Sequence, residues 1–208
     1  MSDEPIILIP ARLASTRLPR KPLADIAGLP MIVQVWQRAM ESACGRVVVA
    51  AAEDEIVEVV TSAGGEAVLT DPDLPSGSDR IYQALEQIDP KGAHQRIVNM
   101  QGDLPTLEPG LITRVLEALG DNDMSTLVAE ITEAGERDDP NVVKAIVSLH
   151  TPSSGRALYF TRATAPSGDG PLYHHIGIYA YQRAALANFV ALPPSVLEQR
   201  ERLEQLRV

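Results

Sequence analysis

Four cationic side chains, Arg12, Arg17, Arg20 and Lys21, lie close together in the loop that follows an apolar run at residues 6–9. This basic loop, residues 12–21, contains no acid, although the chain carries a formal net charge of −10. The apolar run predicts a buried strand, and ligands of α/β sheets bind beyond the carboxyl ends of strands. Cations and loop N–H groups at that edge suit a polyphosphate. A solvated basic loop is the alternative, but its position and its stiffening prolines favour phosphate binding.

A carboxylate is expected at the same sheet edge. Asp103 follows Gln101 and Gly102 after a predicted strand at residues 96–101. A carboxylate next to phosphates repels them unless a divalent cation lies between, and Mg²⁺ is usually held by one or two carboxylates plus substrate phosphates. Alternatively, Asp103 caps the following turn. Gln101 is either a ligand-binding side chain or a strand-end residue.

The segment 75–80 precedes a predicted helix. Gly77 would permit close approach of the backbone to a ligand, whereas Ser78 or Asp79 could be the helix N-cap; both interpretations can hold together. Further along, Arg162 lies near a strand end, and His175 follows another histidine in a predicted strand. Adjacent strand residues face opposite ways, so at most one of the two histidines points into a given site.

Other chemistries are disfavoured. One cysteine and four scattered histidines lack metal-ligand spacing, which argues against a zinc site. The chain has no Walker A sequence, no Rossmann glycine fingerprint and no Gly-x-Ser-x-Gly elbow. Its net charge of −10 and pI of about 4.8 argue against nucleic-acid or membrane partners. The single Cys44 excludes an intrachain disulfide and fits the cytoplasm, and no signal peptide or bilayer-length apolar run is evident.

Hydrophobic periodicity predicts the elements. In the first half, strands at residues 46–51, 66–70 and 96–101 alternate with helices around 32–39, 56–63 and 79–88. This alternation implies parallel pairing with right-handed crossovers. After about residue 120, strands at 125–131, 142–148, 157–163 and 176–181 have no full helix between them, which predicts mixed or antiparallel pairing. Helices are expected at 183–192 and 195–207.

Together these stretches resemble the 3-deoxy-manno-octulosonate (Kdo) cytidylyltransferases, also called CMP-Kdo synthetases. The matching segments lie in the family's order over essentially the whole chain: residues 9–12, 15–19 and 21–22, then 99–103, 141–144, 157–164, 175–179 and 203–207. The related sialic-acid cytidylyltransferases share the first loop, but not the Leu-Glu-Gln-Leu-Arg stretch at 203–207.

The resemblance implies an α/β, nucleotide-diphospho-sugar-transferase-like (Rossmann-like) fold. Its mixed sheet would carry helices on both faces, with a small β-rich annex used for dimerisation. Residues 1–208 would form one nucleotidyltransferase domain, with a nucleotide-binding half at about 1–122 and a sugar-binding, dimerising half at about 123–208. The implied reaction is the Mg²⁺-dependent conversion of CTP and Kdo to CMP-Kdo and pyrophosphate, for lipopolysaccharide biosynthesis, by a cytoplasmic homodimer.

The resemblance also implies roles for individual residues. Arg12, Ser15 and Lys21 would hold the CTP phosphates, with Arg17 supporting their loop, and Asp103 would bind Mg²⁺. The loop around Gly77, with Ser76 and Arg80, would read the cytosine. The sugar would be contacted by a group of polar side chains: Gln101, Arg162, His175, Tyr179, Glu204 and Gln205.

Two departures from the family accompany these roles. Residues 167–174 form a shorter segment than in many relatives, which bears on a dimer contact from that loop. Relatives also continue to a Gly-Val-Asp-Thr-Pro stretch whose aspartate is a second metal ligand, so a chain ending at Val208 is expected to lack it. The alternatives are a cytidylyltransferase for another acidic sugar, such as a sialic acid or amino-Kdo, and a non-catalytic nucleotide-binding regulator.

Overall fold

A computed structural model describes residues 4–14 and 18–207. The strands, in chain order, are β1 (Ile6–Ala11), β2 (Asp25–Ile26), β3 (Leu29–Pro30), β4 (Arg46–Ala51), β5 (Glu66–Leu69), β6 (Arg96–Met100), β7 (Met124–Glu130), β8 (Lys144–Thr151), β9 (Ser154–Thr161) and β10 (Tyr173–Gln182). The α-helices are α1 (Met31–Glu41), α2 (Asp54–Ser62), α3 (Gly77–Ile88), α4 (Gly110–Leu119), α5 (Ala134–Asp138), α6 (Arg183–Ala191) and α7 (Val196–Glu201). Short 3₁₀ helices span Lys21–Leu23 and Glu204–Arg207.

The chain divides into two compact units. The first unit contains the chain up to Ser125 together with Ile178–Val190, and the second contains Thr126–Gly177 together with the chain from Ala191 onward. The strands β7 and β10 therefore begin in one unit and end in the other.

A mixed sheet forms the centre of the first unit. Its strands lie in the order β5, β4, β1, β6 and β10; the first four are parallel, and the end of β10 is antiparallel to β6. Within β1, Leu8 pairs with Asn99 of β6 and Ala11 pairs with Ala51 of β4. The loops after β1 and β6 therefore leave the sheet at the same edge.

Helices cover both faces of this sheet. Successive strand residues point to opposite faces, and Ile6 and Leu8 of β1 pack in one core with Ile81 and Leu85 of α3. On the other face α1 contacts β1. The expected mixed α/β sheet with helices on both faces is confirmed.

Local sequence signals explain where these helices begin. The helix α1 starts directly after Pro30, and its buried residues Ile32, Val35 and Ala39 recur at helical spacing. The helix α3 begins after Ser76, whose hydroxyl accepts a hydrogen bond from the backbone N–H of Asp79. The N-cap is thus Ser76, rather than Ser78 or Asp79 as one interpretation of the sequence expected.

The second unit is richer in β-structure. The strands β8 and β9 form an antiparallel ribbon, and the start of β10 pairs with β8. A small core gathers Ala145, Phe160, Leu203 and Leu206. The expectation that mixed or antiparallel strands follow residue 120 is confirmed for this unit.

The prediction of one continuous helix over residues 195–207 is wrong. A capping box between Ser195 and Glu198 starts α7, but the helix stops at Arg202, which adopts a left-handed conformation with φ 56°. The short 3₁₀ helix then turns Leu203 and Leu206 into the core. None of the helices in the described part of the chain is long and apolar enough to cross a membrane.

Candidate active site

A pocket of about 370 Å³ opens at the edge of the first unit where β1 and β6 end. Five chain segments of the described residues meet there: the end of β1 with the start of the basic loop, the end of that loop at Lys21 with Pro22, the start of α1, the start of α3 and the turn after β6. The residues that line it are Pro10, Ala11, Arg12, Ala14, Lys21, Pro22, Met31, Ser76, Gly77, Arg80, Gln101, Gly102 and Asp103. Parallel pairing of β1 with β6 therefore brings together residues that are about 90 positions apart in the sequence.

An ion pair bridges two of these segments. The Lys21 Nζ atom lies 2.6 Å from Asp103 Oδ2, and the two side chains are 36% and 49% exposed. Such an exposed pair contributes little to stability, because solvent screens the charges. The contact instead places a cation and a carboxylate side by side in a pocket that is open to a ligand.

The pocket is strongly cationic on its other wall. Arg80 is buried, and its guanidinium donates hydrogen bonds to Thr70 Oγ1 at 2.6 Å and to the Asp71 carbonyl at 2.9 Å. Burial lowers the pKa of Arg80, and the positive charge of Arg12 lowers it further, against the opposing effect of Glu53. The charges of the exposed Arg12 and the buried Arg80 thus repel one another. Their combined positive potential in the pocket suits an anionic ligand.

Two glycines shape the pocket. A Cβ atom at Gly102 would lie 2.6 Å from the Pro10 carbonyl oxygen, so only glycine lets the turn before Asp103 pass against β1. A Cβ atom at Gly77 would lie 3.4 Å from Pro10 Cγ and 3.9 Å from Gln101 Nε2. The contacts at Gly77 are ordinary van der Waals distances, so of these two glycines Gly102 is the one that the close approach to β1 requires.

Two candidates in the basic loop, Ser15 and Arg17, lie outside the described residues. A third cation of the loop, Arg20, points to an acid instead of the pocket and forms an ion pair with Glu55 of α2. Of the loop cations that the structure describes, Arg12 and Lys21 line the pocket.

Arg162 lies in the second unit, at the end of β9. Its Nε and Nη1 atoms donate to the carbonyls of Glu201 and Pro140, both at 2.9 Å, and Nη2 lies 3.5 Å from the Arg202 carbonyl. The carboxylate of Glu201 accepts from the Arg162 backbone N–H at 3.0 Å and from Thr161 Oγ1 at 2.9 Å. The hydrogen bond from the Arg162 backbone N–H lowers the pKa of Glu201, and with the bond from Thr161 it outweighs the raising effect of burial. Sequence reasoning missed Glu201.

His175 is buried in the second unit between two polar side chains. Its Nε2 atom lies 2.9 Å from Thr126 Oγ1, and its Nδ1 atom lies 3.3 Å from Gln205 Nε2. Because Thr126 also donates to the Ile176 carbonyl, these contacts fit the tautomer that carries its proton on Nε2 and accepts from Gln205 at Nδ1. Burial, with a smaller contribution from His174, lowers the pKa of His175 to about 4. The imidazole is therefore neutral at pH 7.

The depressed pKa of His175 predicts a loss of stability in mild acid. The unfolded chain binds this proton near pH 6.5 and the folded chain only near pH 4, so stability falls as pH decreases through that window. The full effect is about 3 kcal/mol. We expect urea unfolding at pH 7 and 4.5 to show this loss in the native chain and a smaller one in His175→Gln. His150→Gln, which changes an exposed histidine, should behave like the native chain; equal losses in all three would contradict the prediction.

The remaining sugar-site candidates lie in both units. Glu204 belongs to the 3₁₀ helix of the second unit, directly before the buried Gln205. Tyr179 lies in the first unit, where it is buried in the core cluster with Tyr181 and pairs with Asn99 across β6 and β10. The structure thus brings Arg12, Lys21, Gln101 and Asp103 into one pocket. It brings His175 and Gln205 into contact within the second unit.

Comparison with known proteins decides the family. A family model described as Cytidylyltransferase matches residues 6–208. The chain belongs to the cytidylyltransferase family. It is 66% identical to the 3-deoxy-manno-octulosonate cytidylyltransferase of Parvibaculum lavamentivorans over 209 residues, covering 100% of this chain and 81% of the relative. It is 65% identical to the enzyme of the same name from Rhodospirillum rubrum over 207 residues, covering 98% of this chain and 82% of that one.

A solved structure agrees with this membership. The structure of a CMP:2-keto-3-deoxy-manno-octonic acid synthetase complexed with CTP superposes with a TM-score of 0.88. The two sequences are 37% identical, and the match covers 98% of this chain and 84% of the other. The resemblance to the Kdo cytidylyltransferases within this family is thereby confirmed, and so is the expected fold.

The pocket offers few oxygen ligands of its own for a divalent cation. Among the described residues, no three His, Cys, Asp or Glu side chains are grouped so that they could hold a metal. Asp103 nevertheless offers an exposed carboxylate on the wall of the pocket, which Gln101 also lines. One carboxylate with substrate phosphates and waters suffices for Mg²⁺, so these residues fit it as an ion that binds together with a nucleotide.

Proposed function

We propose that this cytidylyltransferase activates Kdo with CTP, giving CMP-Kdo and pyrophosphate. The observation that carries the proposal is the pocket at the ends of β1 and β6, where Arg12, Lys21 and Asp103 line one cavity. The relatives named above, which match this chain over its length, carry the name of that activity.

The nucleotide would bind in this pocket. Arg12 and Lys21 would contact the phosphates of CTP, because both cations line the cavity and neither is buried. The first turn of α3, with Ser76 and Gly77, would lie against the cytosine, and the hydrogen bonds of Arg80 to Thr70 and Asp71 would keep that rim in place.

Kdo would be bound by polar side chains of the second unit, among them Arg162, His175 and Gln205. The neutral His175 fixes the Gln205 amide through the 3.3 Å contact at Nδ1. Three N–H groups of Arg162 already donate to backbone carbonyls, which leaves two for the sugar carboxylate. Arg162 would therefore both shape the chain around Glu201 and bind the substrate.

The chemistry is a direct displacement at phosphorus. The anomeric hydroxyl oxygen of Kdo forms a bond to the α-phosphorus of CTP, the bond from that phosphorus to the bridging oxygen of the β-phosphate breaks, and the hydroxyl proton passes to solvent. The described residues that line the pocket include no histidine. The chain would therefore accelerate the step chiefly by in-line positioning and by the charges of Arg12 and Lys21.

Asp103 would hold Mg²⁺ when the nucleotide is bound. The bound ion would supply charge neutralisation for the phosphates. Lys21 pairs with the same carboxylate in the structure. When CTP binds, Lys21 would turn to the phosphates and the ion would compensate the charge of Asp103 in its place.

We also place this enzyme in the cytoplasm as a homodimer. Its one cysteine, Cys44, is half-buried with Sγ 3.2 Å from Thr113 Oγ1, which suits a reducing compartment. The β8–β9 ribbon exposes Leu149 and Leu158, which supports its expected use in dimerisation. Sedimentation velocity would test the dimer.

Pyrophosphate release with a panel of substrates tests the activity. We expect turnover with CTP, Mg²⁺ and Kdo, and at least about 100-fold lower kcat/KM with ATP or GTP, because positioned hydrogen bonds reject a mispaired base. A sialic acid and amino-Kdo form the other arms of the panel. Equal turnover of all three nucleotides would refute a cytidylyltransferase, and CTP binding without turnover of any sugar would indicate a regulator.

A further inference from the structure

The carboxylate of Glu53 points away from its own helix. Glu53 occupies the N-cap position of α2, but its side chain makes no capping hydrogen bond there. Both of its oxygens instead accept from the backbone N–H of Leu13, at 3.0 and 3.2 Å, across forty positions of sequence. Leu13 directly follows Arg12, which lines the nucleotide pocket.

Backbone contacts extend the attachment in both directions. The N–H of Ala52, one residue before Glu53, donates to the Ala11 carbonyl at 2.9 Å and so continues the pairing of β1 with β4 beyond the strand ends. The carbonyl of Leu13 accepts from the Arg20 N–H at 3.2 Å, which links the two described ends of the loop. Both backbone groups of Leu13 are therefore used, one by Glu53 and one by the far side of the basic loop.

A second acid of the same helical turn holds that far side. Glu55 pairs with the Arg20 side chain, and Arg20 adopts a left-handed conformation with φ 58° directly before Lys21. The start of α2 thus reaches the basic loop on both flanks, next to the two loop cations that line the pocket, Arg12 and Lys21.

We propose that Glu53 is a positioning residue for the phosphate-binding loop: it holds the Leu13 N–H so that Arg12 stays at the pocket wall, and Glu55 fixes the Lys21 flank through Arg20. This inference rests on the proposed binding of CTP. The direction in which CTP affinity changes when Glu53 is replaced tests the proposal. Removing a negative charge near the pocket should by itself strengthen polyphosphate binding, whereas losing the hydrogen bond to Leu13 should weaken it.

Three variants separate charge from position. Glu53→Ala removes the negative charge and the acceptor for the Leu13 N–H, whereas Glu53→Gln removes the charge but keeps an oxygen acceptor. Asp54→Ala removes an exposed charge from the same turn without changing a contact to the loop. We expect Glu53→Ala to raise the KM for CTP at least about tenfold, as for a lost hydrogen bond to a charged group, with less than about twofold change in the KM for Kdo. Glu53→Gln and Asp54→Ala should stay within about threefold of the native KM for CTP.

Amide hydrogen exchange at Leu13 in nucleotide-free protein provides the direct readout. It should accelerate at least about tenfold in Glu53→Ala and hardly at all in Asp54→Ala, with thermal unfolding as the check on folding. Unchanged Leu13 exchange, or equally tight or tighter CTP binding by Glu53→Ala, would overturn the proposal. If the native chain did not bind CTP, the proposed function would fail, but Leu13 exchange would still decide whether Glu53 holds the loop.

Discussion

Asp103→Asn should reduce pyrophosphate release from CTP and Kdo by at least about 100-fold, because it removes the carboxylate that we propose holds Mg²⁺. Asparagine has the same shape and keeps an oxygen acceptor for Lys21, so the turn after Gly102 should persist. The side chain is 49% exposed, and the fold should therefore lose little stability. A magnesium titration of the rate, with thermal unfolding in parallel, measures both effects.

A binding experiment without turnover makes this prediction independent of catalysis. Mn²⁺ in place of Mg²⁺, followed by its electron paramagnetic resonance signal with CTP present, should bind more weakly to Asp103→Asn than to the native chain. Asp121→Asn removes an exposed carboxylate from the turn after α4 and serves as the matched control. Should Asp103→Asn keep both the native rate and the native metal dependence, Asp103 is a turn residue and the site is misplaced.

The elements of the first unit were predictable because their signals are local. Residues 46–51 form β4 as predicted, and the predicted helix around residues 79–88 is α3 with two further residues at its start. Alternation of these elements implied parallel strands, and parallel strands bring Arg12 and Asp103 to one edge. Sequence order alone therefore located the pocket.

Two helical segments, α4 and the C-terminal segment, were not predicted correctly from the sequence. The helix α4 was not predicted, although its buried Ile112, Val115, Leu116 and Leu119 recur at helical spacing. The C-terminal segment keeps helical spacing beyond Arg202, but docking of Leu203 and Leu206 on the core breaks the helix. A tertiary contact decides that break, so local propensity could not foresee it.

The long-range partners of the site could not be predicted from the sequence. Glu53 and Glu201 lie in ordinary acidic stretches, and only the fold shows that they accept from the backbones of Leu13 and Arg162. Arg20 was likewise a candidate phosphate ligand in the sequence, whereas in the fold its side chain pairs with Glu55. Charge and spacing identify candidate ligands, whereas the pairing of charges inside the protein decides which of them face the pocket.

Lys21→Ala is the second prediction with a large expected effect. We expect kcat/KM for CTP to fall by about 30-fold to nearly 1000-fold, because a preorganised cation at developing charge contributes roughly 2–4 kcal/mol. Lys21→Arg should recover part of the loss, since it keeps the charge in a different shape. Lys91→Ala removes the same charge from an exposed turn after α3 and should leave the rate unchanged.

The ion pair with Asp103 gives Lys21→Ala a second effect of opposite sign. Lys21 lies 2.6 Å from the carboxylate, so a divalent cation that binds Asp103 competes with the lysine charge. Removing the lysine should therefore tighten Mn²⁺ binding to the nucleotide-free protein while turnover falls. In Asp103→Asn that gain should disappear, because the competition requires the carboxylate. An unchanged rate together with unchanged Mn²⁺ affinity would show that Lys21 is only a solvated surface residue. A cation that contacts both the carboxylate and the phosphates cannot be removed while the rate and the Mn²⁺ affinity both stay the same.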